Sequence, residues 1–388
     1  MRDQIAKYSA KLIADRSALA DDIAFAAQDD TLLSAGAPVL AALAADILGR
    51  LNSLALLIAR PALPFAALLL ARAPGTDSCL VPQDTETRTF LHDIPFLRRE
   101  ELAKDPAAQI ARLLANRKGV IVEGVGVVAL GTITVEQAFI NYSSVFHSTF
   151  VMYLQDVLRN GFRLPGEREA FESFRNLWLQ APSAAGLEFR ESLSEEREEI
   201  LGEVERVGRY TVERGLVDSF FGNISARAGG LIYISQTAAS LDELKGCIDP
   251  VPNDNSSTTG ITASSELLAH RKIFEASGAR VILHGHPKFA VVMSMLCESE
   301  ECPVKDCWKD CPQVRDLGGT PVVAGEIGAG GLAKRVSPVI AATGSAIVYG
   351  HGVFTIGRQG FGEAFAAMVK VENFCREEYF RRLDRLQP

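Results

Sequence analysis

The sequence lacks an apolar stretch clean enough to cross a membrane. Its most apolar run, residues 54–71, carries Arg60, Pro61 and Pro64 near the middle, where a bilayer core tolerates charge and helix breaks poorly. We predict a buried strand followed by a helix there instead. Residues 1–4 lead into a charged amphipathic helix without an apolar signal segment. These absences predict a cytoplasmic protein that does not contact membranes.

An excess of positive charge is also missing. The formal net charge is -8 at pH 7 and the pI is about 5.4, which argues against a nucleic-acid partner. Seven cysteines, an odd number in a chain without a signal segment, indicate reduced thiols. A length of 388 residues with 47% hydrophobic and 23% charged residues predicts a globular protein of two domains.

Several elements can be predicted from local pattern. Residues 1 to about 60 are interpreted as mainly helical, because Ala and Leu are dense in 37–57. The short run 120–122 predicts a strand. A helical pattern from Val135 to Leu158 should end at Asn160-Gly161, since glycine is a common C-terminal helix cap.

The two halves of the chain share a repeat. Residues 122–131 align with residues 348–357, and the same spacing of 226 residues aligns 138–139 with 364–365. A weaker match of 64–66 with 288–290 places Arg60 and Ala62 where the second half has His284 and His286, and the spacing of 226 places Val125 at His351. Chance resemblance between two glycine-spaced segments is the alternative. Duplication predicts a domain over residues 1–190 without metal ligands and a metal-binding domain over residues 191–388.

The second half contains a histidine pattern typical of metal sites. His284 and His286 end the predicted strand 281–283, and residues two apart on a strand point to the same face. Imidazoles that converge in this way can bind a divalent metal, or they can simply end a strand in solvent. His351 lies between two glycines at another predicted strand edge. Three histidines with an open position are typical of catalytic zinc.

Small polar residues form turns near these histidines. Glu266 is expected to open a helix with Ser264 and Ser265 at its N-cap. Free N–H groups and hydroxyls at such a helix start can bind phosphate. The turns 222–225 and 235–238 carry similar donors. Ordinary capping explains each turn taken alone.

Taken in order, these motifs resemble the class II aldolase/adducin family. The resemblance rests on residues 222–225, 234–237, 264–266, 284–287 and 351–353, and it extends over about residues 195–378. It implies an α/β fold of three α/β/α layers with a mainly antiparallel central sheet, present here in two tandem copies. Family members typically form cyclic tetramers with the active site between neighbouring subunits.

The resemblance also implies roles for particular residues. His284, His286 and His351 would bind a divalent metal, usually Zn²⁺. Glu266 would be the acid/base and, in the empty site, a fourth ligand. The substrate phosphate would be held by five further residues, namely Asn223, Ser235, Thr237, Ser264 and Ser265.

The implied function is that of a metal-dependent aldolase-type lyase. It would cleave a C–C bond in a small hydroxy-carbonyl substrate, a sugar phosphate, through a metal-stabilised enediolate. Glu266 would then transfer the proton, with its pKa raised by burial. The alternatives are an epimerase, a dehydratase or a decarboxylase of the same family, or a non-catalytic adducin-like scaffold. Family epimerases tend to carry Asp at the position of Glu266, which favours the aldolase.

Two further expectations concern substrate and assembly. Gln236, Ala238 and Ala263 stand where the family usually has Pro, Gly and Pro, so the resemblance leaves the phosphate group open. Alanine reaches positive φ only at a cost that glycine avoids. The first domain would supply the neighbour that family members take from another subunit, so a dimer of tandem chains would imitate a tetramer.

Four of the cysteines fall in one short segment that is not part of the family pattern. They are Cys297, Cys302, Cys307 and Cys311. Dense thiolates can bind zinc or an iron–sulfur cluster. The spacing matches no established ligand pattern, and a solvated loop of reduced thiols or a labile disulfide is the alternative.

Overall fold

The computed structural model describes residues 1–218, 220–254, 256, 262–297, 302–326 and 328–386. The chain divides into two compact units, Met1–Leu179 and Gln180–Pro388. Within the described residues, no helix is both long and apolar enough to span a bilayer.

The N-terminal unit contains one seven-stranded sheet in the order β2-β1-β3-β7-β6-β5-β4. The pair β5–β6 is parallel and the other neighbours are antiparallel. A 3-10 turn (Arg99–Glu101) follows β5. The helices and strands are α1 (Arg2–Ala14), β1 (Ala18–Gln28), β2 (Leu32–Gly36), α2 (Pro38–Leu48), β3 (Ala55–Pro61), α3 (Phe65–Arg72), β4 (Cys79–Leu80), α4 (Thr85–Leu91), β5 (Ile94–Leu97), α5 (Pro106–Leu114), β6 (Gly119–Val122), β7 (Gly126–Gly131), α6 (Val135–Asn160) and α7 (Glu167–Trp178).

The described part of the C-terminal unit contains an eight-stranded sheet in the order β10-β9-β8-β11-β15-β14-β13-β12. Here β13–β14 is the parallel pair, and the other described neighbours are antiparallel. Its elements are α8 (Arg197–Glu213), β8 (Asn223–Ala228), β9 (Leu231–Ser235), β10 (Ile248–Pro252), α9 (Leu267–Ser277), β11 (Val281–Gly285), α10 (Lys288–Ser294), α11 (Cys307–Asp310), β12 (Arg315–Leu317), β13 (Thr320–Val323), α12 (Gly328–Thr343), β14 (Ser345–Val348), β15 (Gly352–Gly357) and α13 (Phe361–Arg385).

Helices cover both faces of each sheet. In the N-terminal unit, alternate residues such as Leu56 and Ile58 pack in one core with α2 and α5, while α1 and α6 contact β1, β3 and β7. In the C-terminal unit, Ile282 and Ile356 pack with α9 and α12, while α8 and α13 contact β8, β11 and β15. Strands covered on both sides are apolar throughout. The predicted three-layer α/β/α fold with mainly antiparallel sheets, in two copies, is confirmed.

The two sheets match in register as well as in strand order. Residues 55–59 pair with 127–131, and residues 281–285 pair with 353–357, each 226 positions later. A Cβ built on Gly126 would lie 2.5 Å from the carbonyl oxygen of Ala59. A Cβ on Gly352 would lie 2.4 Å from the equivalent oxygen of Gly285. The same close strand approach therefore requires glycine in both units.

The interpretation of residues 1 to about 60 as mainly helical is wrong. Three strands, β1, β2 and β3, lie there together with α1 and α2. Residues 23–27 and 55–59 are almost fully buried, and a short apolar run inside a covered sheet has no periodicity that separates it from a helix. The predicted strand and helix within residues 54–71 are confirmed as β3 and α3.

The weaker alignment of residues 64–66 with 288–290 is also wrong at the histidine positions. The strands match at a spacing of 226, whereas the helices begin after Pro64 and Pro287, which is a spacing of 223. The N-terminal loop is therefore three residues longer. The strand register makes Ile58 and Arg60, rather than Arg60 and Ala62, equivalent to His284 and His286.

Candidate metal centre

The candidate site lies where β11 ends and the turn before β15 begins. His284 is in β11, and His286 follows the strand immediately before Pro287, the N-cap of α10. His351 lies in the turn between β14 and β15. The hydroxyl of Ser294, the last residue of α10, accepts the N–H of Gly350 at 2.9 Å. The end of α10 and the turn that carries His351 are thereby held together.

Three imidazoles converge at this point. The Nε2 atom of His284 lies 3.1 Å from that of His286 and 3.2 Å from that of His351. All three candidate ligand atoms lie within 4.8 Å of one another. Tetrahedral coordination with bonds of about 2.0 Å separates ligand nitrogens by about 3.3 Å. The spacing therefore fits a single bound cation.

The hydrogen bonds of His284 fix which of its nitrogens carries the lone pair. Nδ1 lies 3.0 Å from the carbonyl oxygen of Val353, which can only accept, so Nδ1 carries the proton. Burial lowers the pKa of His284 to about 4, and the neutral ring therefore points an Nε2 lone pair at its two neighbours. A proton shared between two imidazoles can satisfy only one Nε2 lone pair, whereas a divalent cation can bind the lone pairs of all three rings. The donor set fits a metal.

Ring packing holds the imidazole planes. The ring of His284 stacks on Phe354 with centroids 3.9 Å apart, and that of His286 stacks on Phe221 at 5.6 Å. A Cβ on Gly352 would lie 2.6 Å from the His286 ring and 3.0 Å from the His284 ring. Glycine next to His351 therefore makes room for the cluster.

Glu266 lies beside the three histidines. One carboxylate oxygen is 3.2 Å from His351 Nε2 and the other is 3.5 Å from His284 Nε2. Burial alone raises the pKa of this carboxyl, but His284, His351 and the Asn223 amide outweigh burial, and the net pKa is lowered. The expectation of a raised pKa is therefore wrong. The group is a carboxylate, suited to accept a proton or to face a cation.

A buried relay of hydrogen bonds orients Glu266. The Asn223 amide donates to the carboxylate at 2.8 Å, and its oxygen lies 2.5 Å from His270 Nε2. His270 Nδ1 in turn lies 2.6 Å from the hydroxyl of Ser225. The amide oxygen can only accept, so His270 Nε2 donates and its Nδ1 accepts from Ser225. Burial lowers the pKa of His270 to about 3, consistent with this neutral form.

Sequence reasoning missed His270 and Ser225. The available signal was spacing, because His270 stands four positions after Glu266 and such residues share a helix face. Ser225 alternates with Asn223 along β8 and lies on the same sheet face. Both are buried.

The five predicted phosphate-binding residues lie on three segments: Asn223 begins β8, Ser235 and Thr237 lie at the end of β9 and just after it, and Ser264 and Ser265 precede α9. Both the nitrogen and the oxygen of the Asn223 amide form hydrogen bonds within the protein, as described above. The Ser235 hydroxyl accepts the N–H of Ile224 at 3.2 Å, and the Ser264 hydroxyl accepts that of Glu266 at 3.3 Å. The remaining two are exposed: Thr237, whose hydroxyl donates to the Ala263 carbonyl at 2.9 Å, and Ser265.

Two local expectations about these segments need correction. The N-cap of α9 is Glu266 and not one of the serines, because Leu267 is the first helical residue. Ala238 adopts φ 60 despite being alanine. An alanine in the left-handed region costs on the order of 1 kcal/mol, and this chain therefore carries strain where the family usually has glycine.

The N-terminal unit offers no equivalent of the cluster. At the shared register, His284, His286, His351 and Asn223 correspond to Ile58, Arg60, Val125 and Ala24. Arg60 is exposed and pairs with Asp22 at 3.0 Å. These residues cannot ligate a metal through side-chain lone pairs.

Comparisons with known proteins find similarity over part of the chain. Residues 202–379 match the family model of the Class II Aldolase and Adducin N-terminal domain. Similar solved structures include L-fuculose-1-phosphate aldolase from Thermus thermophilus, at 24% identity over 48% of this chain and 97% of that chain, with a TM-score of 0.40. A sugar-phosphate aldolase from Thermotoga maritima is 18% identical over 49% of this chain and 97% of that chain, with a TM-score of 0.36. No curated protein matches the chain.

Proposed function

We propose that this chain is a divalent-metal-dependent lyase, because residues 202–379 match the family model of the Class II Aldolase and Adducin N-terminal domain. It cleaves a C–C bond in a small hydroxy-carbonyl compound, with a sugar phosphate as the first candidate. The convergence of three imidazole nitrogens beside a carboxylate carries the proposal. A scaffold has no use for buried lone pairs held this close, since burying unsatisfied polar groups costs stability.

His284, His286 and His351 are the proposed metal ligands. Zn²⁺ is the first candidate, because imidazole suits this ion and three protein ligands leave a position for substrate. A bound cation would supply a Lewis acid that stabilises negative charge on the substrate oxygens as the C–C bond breaks. The bond from His284 Nδ1 to the Val353 carbonyl keeps Nε2 available as a ligand.

Glu266 is the proposed acid and base. Its carboxylate can remove a proton from the substrate carbon next to the carbonyl in the direction of synthesis. In the direction of cleavage the hydroxyl on the carbon that becomes the new carbonyl gives its proton to the carboxylate as the C–C bond breaks, and the carboxyl then delivers that proton to the other carbon. Asn223 and His270 act as positioning residues, because their hydrogen bonds fix the direction in which the carboxylate oxygens point.

A substrate without phosphate is a second candidate. The Gln236 amide, where the family usually has Pro, donates to the Asp249 carboxylate at 2.8 Å. The other oxygen of Asp249 accepts the hydroxyl of Thr262 at 2.6 Å. A buried carboxylate beside the expected phosphate turn disfavours a second anion. Cleavage assays on ketoses with and without a phosphate group, otherwise identical, distinguish the two candidates.

We also propose that the two halves divide the work. Residues 1–190 form a degenerate, structural copy, and residues 191–388 form the catalytic copy, so that two chains imitate a four-fold ring. Multi-angle light scattering should give a dimer. A strict monomer at all accessible concentrations would contradict this assembly.

The test of the lyase proposal uses metal removal and return. The purified chain is assayed for aldehyde and ketone products with a panel of ketose phosphates, ketoses and sugar acids. We expect cleavage of at least one compound, loss of cleavage after chelation, and recovery on adding Zn²⁺ or another divalent ion. Cleavage that survives complete metal removal would overturn the proposal.

A further inference from the structure

Four cysteines outside the histidine site surround one small cavity. Cys297, Cys302, Cys307 and Cys311 line it together with residues of the sheet edge, and its volume is about 20 Å³. All four are free thiols. Cys307 begins α11 and Cys311 is its C-cap, so these two lie one helical turn apart on one face.

Hydrogen bonds hold two described parts of the chain beside this cavity, residues 294–296 and α11. The Arg315 guanidinium donates to the carbonyl oxygen of Leu296 at 2.7 Å and also to that of Ser294. The Trp308 carbonyl accepts the N–H groups of Gly325 at 2.8 Å and Glu326 at 3.2 Å. These bonds hold residue 296 and α11 beside the cavity that the four cysteines line.

The thiols affect one another electrostatically. Burial raises the pKa of Cys307, and the three other cysteines raise it further, while Arg315 lowers it. Neighbouring thiolates repel unless a cation lies between them. Cys297 and Cys302 are exposed, and unligated thiols in such positions are prone to oxidation.

Cavity size limits what could occupy this position. A cavity needs roughly 10–15 Å³ to hold one water-sized sphere, so this one has room for a single atom. That space suits one metal ion. Val322 and Tyr349 also line it.

We propose that Cys297, Cys302, Cys307 and Cys311 bind one Zn²⁺ ion in a closed, structural tetrathiolate site. Four sulfur ligands complete the tetrahedral coordination of zinc, so no position stays open for chemistry. Each thiol gives up its proton as its sulfur–zinc bond forms, and four protons pass to solvent per ion bound.

The site would support the neighbouring catalytic turn. Tyr349 borders the cysteine cavity and stands two residues before His351. The zinc would pin the segment of residues 302–311 against β13 and this turn, and its loss would lower stability without removing a ligand of the histidine site.

The test separates the two metal sites by working in a chain that lacks the first one. The full-length double variant His284→Ala, His286→Ala is purified under reducing conditions, and its zinc content is measured. We expect about one equivalent of zinc per chain, and a strong thiolate-to-metal charge-transfer absorption when cobalt replaces it. Adding Cys307→Ser should remove both signals, whereas the control Cys79→Ser should leave both.

A second measurement covers the case in which the cysteine variants do not fold. In the unmodified chain, the four thiols should react with a thiol reagent only after a chelator is added. Immediate reaction of all four would overturn the proposal. So would a double histidine variant that binds no zinc, or one that contains iron with acid-labile sulfide.

Discussion

The two units of this chain share a strand order, a pairing register and even the close approach at Gly126 and Gly352, yet only one carries a candidate site. Where the C-terminal unit buries His284, the N-terminal unit has Ile58. The sheet framework evidently needs no imidazole to form. Buried polar groups that a fold does not require are best explained by function.

The largest expected effect comes from a matched pair of substitutions. His286→Ala removes a proposed ligand, and we expect the metal of the histidine site and all lyase activity to be lost. Arg60→Ala changes the equivalent position of the N-terminal unit and should leave both unchanged, because Arg60 is exposed and its ion pair is with Asp22 of the same unit. Metal analysis and the cleavage assay check both variants. Equal metal content and equal cleavage activity in the two variants would contradict the difference proposed between the two units.

Glu266→Gln tests the acid/base role apart from metal binding. The amide keeps the shape of the side chain but cannot carry a proton between substrate atoms, and we expect kcat to fall by roughly 10²–10⁴-fold. The metal content should stay unchanged. A variant that loses its metal but regains full activity with excess zinc would show that Glu266 is a ligand and not the proton carrier.

Asn223→Ala tests the hydrogen-bond relay behind Glu266. The variant leaves the carboxylate and His270 without their shared partner, and we expect kcat to fall by roughly 10–100-fold with little change in KM. The control is Asn141→Ala, which removes a buried amide that donates to the Leu130 carbonyl in the N-terminal unit. That control should lower stability and leave kcat unchanged. A similar kcat loss in both variants would argue against a positioning role.

Glu372 gives a pH-dependent difference between the units. Its buried carboxyl accepts the N–H groups of Phe289 and Ala290 at 3.0 and 2.9 Å, and burial raises its pKa from 4.5 to about 7 although the positive charges of Lys288 and Arg376 oppose this. The folded state holds this proton more tightly, so its stabilising contribution is complete below the unfolded pKa and disappears as pH rises through about 7.

Glu372→Gln should remove this dependence. Relative to the variant, the wild-type free energy of unfolding should fall by about 3 kcal/mol between about pH 4 and about pH 8. Urea unfolding at several pH values measures the difference. A difference that stays constant with pH would contradict the raised pKa. At the spacing of 226, the N-terminal unit has Phe146 in this position.

The smallest effect concerns backbone strain at the turn beside the site. Ala238→Gly should stabilise the chain by about 1 kcal/mol, because glycine adopts the φ of 60 found there without steric cost. Ala239→Gly is the control at a neighbouring position without positive φ, and it should be neutral or destabilising. Thermal unfolding of both variants shows whether each substitution stabilises or destabilises the chain. A destabilised Ala238→Gly would mean that strain is absent.

The sequence predicted those parts of the fold that have a long, regular hydrophobic pattern. The helix from Val135 and its glycine cap follow from local pattern, and the structure extends it to Asn160 with Gly161 at φ 68. The strands before residue 60 could not be recognised, because their apolar residues are covered on both faces and show no alternation. Local sequence does not encode which layer covers a segment.

Prediction of the site was limited because pKa shifts and hydrogen bonds there depend on residues that are distant in sequence. The histidines were recognisable from spacing, but the lowered pKa of Glu266 depends on His284 and His351, which come from distant parts of the chain. His270 acquires its role only through Asn223 on another element. The strain at Ala238 likewise follows from the turn that surrounds it. Each is a tertiary property that local sequence alone does not determine.

The most direct measurement is zinc-edge X-ray absorption on the Cys307→Ser variant loaded with one equivalent of zinc. With the thiolate site removed, the account predicts about three imidazole nitrogens at about 2.0 Å together with oxygen, and no sulfur. Imidazole scattering should weaken when His351→Ala is added. A first shell of oxygen alone, unchanged by that substitution, would contradict the claim that these three histidines hold a metal.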